Sequence, residues 1–427
     1  MSFNFKLFFR IAYHSLFKTR NTHYRLTPKR ILLMTIFFTL YPLVELFNFF
    51  CFWLDDIFFP GYHQQEIRKP IFIVGNARSG TTLLHRMMAH DEESFTSLAT
   101  WEILLAPAII QRKFIWALTA IDRRIGKPMH FLVDRLERAI PGPNAHKMGL
   151  NEPEEDEYLL AHNFSTMILW TIFPVRDELI DLFYFDEQVS PEAQKKSMDF
   201  YYACIQRHLY AHGGDKTLLS KNPSFTARIQ ALRTWFPDAR IISTNRNPLE
   251  MVPSLMSWMS AGWHTFCNPL EKYLFREEVL RLTHYYYWYP LELLHDAPVD
   301  RYAIVRYDDL TADPEAVITG IYQQLEIDMS PIYARKLKAS SEKARAFQSR
   351  HNYSLNEIGI SRDEILSHYE DIFEFFDFDE EAVGEQIVTA ETRKERRLRR
   401  KALRQARRSR RVTYRLKWLR LSSIEKI

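Results

Sequence analysis

The densest run of potential hydrogen-bond donors in this chain of 427 residues is Phe72 to Thr82, FIVGNARSGTT. Its apolar start reads as a buried strand, and Gly75 and Gly80 stand at the spacing of a phosphate-cradling glycine loop that opens a helix. Unpaired backbone amides at such a helix start point at an anion. Arg78, Ser79, Thr81 and Thr82 would add a guanidinium and hydroxyl groups around it. Thr81 stands where loops that grip β- and γ-phosphates carry lysine, so this loop suits a nucleotide with no γ-phosphate to cleave. The other reading is a tight strand-to-helix turn without a ligand.

A second constellation lies at Ser243 to Ser254, STNRNPLEMVPS. Arg246 leaves the end of an expected strand, and Ser254 follows two turns into the next helix, so both can converge on one phosphate beside the first loop. The C-terminal ends of parallel strands are where such folds build ligand sites. Taken alone, an Arg-Asn-Pro turn is compatible with a purely structural role.

Together the two motifs, in this order and spacing, resemble the 5′-phosphosulfate and 3′-phosphate binding motifs of the sulfotransferases, in the form that carries Arg in the first loop and is shared with protein-tyrosine sulfotransferases. The resemblance spans roughly Pro70 to Phe378. It implies a metal-free enzyme that uses 3′-phosphoadenosine 5′-phosphosulfate. Arg78, Ser79, Gly80, Thr81 and Thr82 would hold the 5′ end of this donor, and Arg246 and Ser254 its 3′-phosphate. Tyr307 in RYDDL resembles a family position near the nucleotide, although a helix-capping turn explains it equally well. Arg350, in SRHNYSLNEIGI, resembles a basic residue of a late segment that covers the nucleotide.

Sulfuryl transfer needs a base for the acceptor hydroxyl and cations for the charge that develops in the transition state. The resemblance places Glu102 in TWEIL as the base and Lys221 in LLSKNPSF at the leaving oxygen, with Arg78 assisting. A surface carboxylate and a capping turn at Asn222-Pro223 are the plainer readings of the first two. His85 and His90 are poorer bases, because they fall on the helix just after the loop. The acidic run Asn151 to Glu157, NEPEEDE, reads either as a solvated helix start or as lining for the acceptor pocket, with Glu152 or Glu155 as an alternative base.

These residues require a frame of short apolar runs alternating with amphipathic stretches, which is the pattern of a parallel sheet covered by helices. Strands are expected at Ile71 to Val74, Ile241 to Thr244 and Tyr302 to Val305. Helices are expected over Thr82 to His90, Ser224 to Trp235, Leu249 to Met259, Glu271 to Leu294 and Pro314 to Leu325. The aromatic run Tyr285 to Tyr289 reads as core packing. The expected fold is a three-layer α/β P-loop-like parallel sheet with helices on both faces, preceded by hydrophobic helices and followed by a basic tail. The corresponding divisions are residues 1–68, 69–390 and 391–427.

The N-terminal region separates this chain from a plain cytosolic enzyme. Lys6, Arg10, His14 and Lys18 share one helical face of an otherwise phenylalanine-rich segment, which can pack on the domain or lie in a membrane interface. Ile31 to Leu54 has the length of a spanning helix but contains Pro42, Glu45 and Asn48. Pro42 and Glu45 favour a monotopic anchor with the enzyme on the cytoplasmic face. A spanning helix, with Lys29 and Arg30 before it and Asp55 and Asp56 after it, would keep the N-terminus cytoplasmic and put the domain across the membrane.

Composition fits these expectations. The chain is 46% hydrophobic and contains 31 Phe, which excludes a disordered protein. Glu391 to Arg420 holds 15 Lys or Arg against 2 acids, so this stretch carries +13 and the rest −9 of the net +4. A solvated tail or an anionic membrane surface explains it better than nucleic acid, for which no partner role is expected. Cys51, Cys204 and Cys267 are too few and too scattered for a disulfide framework or zinc site. An acceptor that is lipid-linked, amphiphilic or a glycan, with a hydroxyl or amine to modify, fits this setting. The rival classes are a kinase or nucleotide hydrolase, which would need magnesium and the absent lysine, and a silent membrane scaffold.

Overall fold

The computed structural model describes residues 3–126, 131, 135, 149–346 and 355–381; Arg350 and the basic tail lie outside them. Five parallel strands form the sheet: β1 (Ile71–Gly75), β2 (Phe95–Thr96), β3 (Thr217–Lys221), β4 (Arg240–Asn245) and β5 (Tyr302–Arg306), in the order β2-β3-β1-β4-β5. From β1 the chain runs to the edge strand β2, returns inward to β3 beside β1, then crosses to β4 and β5 on the other side. The order therefore reverses beside β1, and a crevice opens there at the carboxyl ends of the strands. Register brings Gly75 opposite Thr244 and Ile73 opposite Lys221, so the ends of β1, β3 and β4 lie side by side.

Alternation along the strands explains the three layers. Phe72, Val74, Leu218 and Ile241 join one apolar core, while Ile71, Ile73, Leu219, Ile242 and Val305 join another. Both faces of the sheet are thus buried, as parallel sheets require. The helices that cover it include α1 (Phe5–Phe17), α2 (Pro28–Phe58), α3 (Thr81–Ala89), α4 (Thr100–Leu104), α5 (Ile109–Arg124), α6 (Pro191–Ala211), α7 (Pro248–Phe266), α8 (Arg276–Leu294), α9 (Tyr307–Ala312) and α10 (Pro314–Gln324). Tyr286, Tyr287 and Tyr289 are buried in the core, in line with the packing reading of that run.

Local chemistry sets the helix starts. Thr27 accepts from the Arg30 amide ahead of α2, Asn247 caps α7 through the Leu249 amide, and Asp313 caps α10 through the Ala316 amide. By contrast, α3 begins at Gly80 in the left-handed region with no side-chain cap, which leaves its first amides facing the crevice. Two expected helices are shorter. The stretch from Pro223 to Arg228 is a 3-10 turn before Ile229–Trp235 becomes helical, and α8 starts at Arg276, after Phe275 turns left-handed at φ 54°.

Residues Met1–Ala382 form one compact unit, so the two N-terminal helices pack into the same body as the sheet. The inner face of α2 is polar at intervals. The Arg30 guanidinium donates to the Ile172 and Phe266 carbonyls, and the Asn48 carbonyl oxygen accepts from Gln111. Asp55 accepts from the Ile109 and Ile110 amides and from Arg207. Glu45 lies 2.9 Å from His162 Nδ1, whose Nε2 is 2.8 Å from the Ile103 carbonyl. Both ring nitrogens thus face acceptors, which favours the doubly protonated ring. Burial alone would lower the His162 pKa, but the hydrogen bond and charge of Glu45 carry it above the ordinary 6.5.

A raised histidine pKa gives stabilisation that is complete below pH 6.5 and is lost as pH rises through the folded-state value. Replacing His162 by Ala strands the Glu45 charge and is expected to cost about 3–5 kcal/mol at low pH. Thermal melting of both proteins from about pH 6 to about 9 should show that gap narrowing as pH rises.

Candidate active site

The loop after β1 is shaped from both sides. Gly75 has φ +121°, and a side chain there would run into the Thr244 carbonyl of β4. From β3's side, the Thr226 hydroxyl oxygen accepts from the Gly75 amide at 2.8 Å. Ser79 is buried, with its hydroxyl 2.5 Å from the Asn76 carbonyl oxygen and 2.7 Å from Thr244 Oγ1. This corrects one expectation: the Ser79 side chain braces the loop against β4 and does not face the crevice. Gly80, at φ +93°, passes under the Tyr307 ring, which lies 2.6 Å from where a Cβ would stand.

The second motif closes on the first. Arg78 Nε donates to the Ser254 hydroxyl at 3.0 Å, and Arg246 Nη1 donates to the Arg78 carbonyl at 3.2 Å. Arg246 also pairs with Glu250 at 2.7 Å, and its guanidinium lies 4.4 Å from the centre of the Tyr307 ring. Five of the expected nucleotide residues, Arg78, Gly80, Arg246, Ser254 and Tyr307, therefore form one cluster where the sheet order reverses. A cradle of two guanidiniums, a hydroxyl and free helix amides is chemically suited to phosphate and sulfate oxygens.

Lys221, the last residue of β3, is buried. Its Nζ lies 3.5 Å from the Thr82 hydroxyl, 3.4 Å from Glu154 and 2.8 Å from Glu155. The acidic run is thus no solvated helix start; it is docked. The Glu154 amide donates to the Leu98 carbonyl, and the Thr100 and Trp101 amides donate to the Glu152 and Leu150 carbonyls. The anchor is Asp156, 1% exposed, which accepts from Tyr201 at 2.8 Å, from Ser220 at 2.9 Å and from Asn222. Burial pushes its carboxyl up to about 6, and those three donors hold it from rising further. The Asn222 side-chain Oδ1 accepts from the Glu157 amide, tying the run to the end of β3 a second time. The sequence reading missed Asp156 and Asn222 as positioning residues. The available signal was a dense run of acids around Pro153 with no bases within helical reach.

Glu102 belongs to a different network. It is 2% exposed and lies 2.7 Å from His212, 3.8 Å from Arg112 and 3.8 Å from His208. Its other oxygen accepts from the Ala99 amide at the start of α4. Burial alone would raise this carboxyl, but the Arg112 guanidinium and the His212 hydrogen bond hold it well below the usual range. The carboxylate balances the buried charge of Arg112. The structure groups Lys221 with Glu154, Glu155 and Thr82, and Glu102 with α5 and α6. The ligand atoms of Glu102, His208 and His212 lie within 4.8 Å of one another, a spacing a metal ion could use. Arg112 Nη1 lies 3.2 Å from His208 Nδ1, however, so a guanidinium already supplies the cation there. His85 is neutral in the core, its pKa lowered to about 3 by burial with Lys221 nearby.

Comparison with known proteins identifies the fold and the family. The crystal structure of sulfotransferase STF9 from Mycobacterium avium superposes with a TM-score of 0.61 at 17% identity, covering 89% of this chain and 98% of that one. Sulfotransferase STF1 from Mycobacterium tuberculosis gives 0.62 at 18% identity, covering 84% and 90%. At such identities the likeness shows a shared fold. The omega-hydroxy-beta-dihydromenaquinone-9 sulfotransferases of Mycobacterium bovis and Mycobacterium tuberculosis are 27% identical over 278 residues, which is 63% of this chain and 66% of theirs. The family model described as "Sulfotransferase family" matches residues 70–331, more than half of the chain and the whole span from β1 to α10. The chain belongs to the sulfotransferase family.

Proposed function

We propose that this protein transfers a sulfuryl group from 3′-phosphoadenosine 5′-phosphosulfate to a hydroxyl, or an amine, of a membrane-dissolved acceptor, working at the cytoplasmic face. The observation that carries this reading is the meeting of Lys221 with Glu155 and Thr82 at one end of a cradle made by Arg78, Arg246 and Ser254. A two-anion cradle with a cation and a carboxylate at its edge has the parts an in-line sulfuryl transfer needs.

In this reading Arg78, Thr82 and the amides that open α3 hold the 5′ end of the donor, while Arg246 and Ser254 hold its 3′-phosphate. Tyr307 packs over Gly80 and Arg246 and fixes the cradle's depth. Glu155, a quarter exposed, takes the proton of the acceptor hydroxyl as its oxygen bonds to sulfur. The bond from sulfur to the phosphate oxygen breaks in the same step, and Lys221 donates to that oxygen as its charge grows. The bisphosphate leaves with both electrons of the broken bond. Glu155 replaces Glu102 as base because it touches the cation of the site. An apolar acceptor is supported by Leu104 and Leu105, 42% and 59% exposed, at the end of the helix whose first amides pair with the carbonyls of the acidic run. The named substrate of the mycobacterial relatives, a hydroxylated menaquinone, belongs to the same chemical class.

Thermal melting with 3′-phosphoadenosine 5′-phosphate tests the donor. At a hundredfold excess over Kd the ligand should stabilise the protein by about 2.7 kcal/mol, while ATP with magnesium should leave it unchanged. The reverse preference would identify a nucleotide hydrolase or kinase, and no shift with either a scaffold.

Three substitutions separate chemistry from stability. Glu155→Gln and Lys221→Ala should each lower kcat about 100-fold or more, with bisphosphate binding retained in Glu155→Gln. Glu102→Gln should instead cost about 3–5 kcal/mol of stability by stranding Arg112, with kcat of the folded fraction kept. The contribution of Glu102 is present above the ordinary carboxylate value of 4.5 and is lost as pH falls below it, so the stability gap between the two proteins should close on acidification. A folded but inactive Glu102→Gln protein, together with an active Glu155→Gln, would reverse the assignment.

A further inference from the structure

Helix α2 has two faces of opposite character over 31 residues, a length of about 46 Å at the usual rise per residue. The inner face is tied to the body at both ends and in the middle, through Arg30, Glu45, Asn48 and Asp55. A transmembrane orientation would strip each of these groups of its partners and place them in hydrocarbon, where nothing replaces the bonds. The outer face is apolar and bare. Leu32, Leu43, Leu46 and Phe47 are each 58% exposed or more, and Trp53 is 56% exposed. On α1, Leu7, Ile11 and Ser15 face inward while Phe5, Phe9 and Phe17 stand 63%, 63% and 74% exposed. Monomeric soluble proteins rarely leave so continuous an apolar surface uncovered.

Charge selects the partner. Among residues 1–54 the sole acid is Glu45, and it is buried against His162. Lys6, Lys18, Arg20, Arg25 and Lys29 are all exposed in the same stretch. Exposed phenylalanines, leucines and a tryptophan among cations, with Asp56 at the end of α2 the one exposed acid of the two helices and paired with Arg207, complement an anionic lipid surface.

We infer that α1 and α2 lie flat in one leaflet of an anionic membrane, immersed by their outer faces, and that α2 does not cross the bilayer. This rests on the membrane association proposed above and gives it a geometry. The chain then has both flanks of α2 on the same side as the catalytic crevice.

The test uses the full-length protein and lipid vesicles, with no donor present. Binding to vesicles of phosphatidylcholine with phosphatidylserine should exceed binding to phosphatidylcholine alone at least tenfold at low salt and weaken as salt rises. The double variant Leu43→Asp, Phe47→Asp should lose at least tenfold in vesicle affinity while keeping the wild-type melting temperature, because neither side chain packs on the body. For topology, Arg20→Cys and Arg68→Cys flank α2, and the three native cysteines are buried. A membrane-impermeant maleimide applied outside sealed vesicles carrying the protein should label both or neither. Labelling of one position alone would show a spanning helix and overturn the in-plane geometry while leaving membrane association intact. Failure to bind either vesicle, or undiminished binding of the double variant, would overturn the immersed face itself; a stable dimer that ignores vesicles would assign that face to a second copy. Neither result bears on the nucleotide cradle, which the bisphosphate melting shift reads separately.

Discussion

The carboxylate of Asp156, buried at the end of β3 and held by Tyr201, Ser220 and Asn222, sets the relative position of everything else in the crevice. Burying a charge is costly unless hydrogen bonds replace its water. Here three donors do so, and the residual cost shows as a carboxyl pushed up to about 6. What that cost secures is alignment. Ser220 and Asn222 bracket Lys221 along the strand, and Glu155 precedes Asp156 in the acidic run, so one anchor fixes both the cation and the carboxylate of the site. The adjacent loop is fixed by a second constraint, the approach of Gly75 to the Thr244 carbonyl, which no other residue permits.

Two charged networks with different purposes lie close together in the chain. Around Glu102 the core of the network is buried: Arg112 is balanced by the carboxylate, His208 is driven neutral by burial, and His212, a third exposed, closes the group on its outer side. Such a network ties α4, α5 and α6 together through buried polar contacts. Around Lys221 the burial is incomplete, because Glu155 remains partly open. An open carboxylate beside a buried cation is the arrangement in which a proton can be accepted and a leaving charge met.

The sequence made β1, β4 and β5 legible because each is an apolar run bounded by glycine, proline or charge, and the loop and Arg246 could be placed on their ends. Strand β3 was not legible. Its apolar content is Leu218 and Leu219 alone, and its remaining buried residues, Ser220 and Lys221, are polar because the site uses them. The resemblance alone placed Glu102 as the base. A motif match cannot say which way α4 turns, and the partners that decide it, Arg112 and His208, come from other helices, the second about a hundred residues on. Glu45 and Asn48 looked like flaws in a spanning segment; His162 and Gln111, which explain them, lie more than 60 residues on. In each case local pattern gave the element and long-range polar contacts gave its orientation.

The proposed nucleotide cradle carries a cation and a carboxylate at its edge, and the central claim is that sulfur crosses this edge to a lipid-soluble acceptor. The most direct measurement incubates the purified full-length protein with donor carrying a radioactive sulfuryl group and a membrane lipid extract, then separates the lipids. The account predicts label in a lipid fraction that the Lys221→Ala protein fails to produce. Label that stays with the donor, or reaches lipid equally well without Lys221, would contradict it.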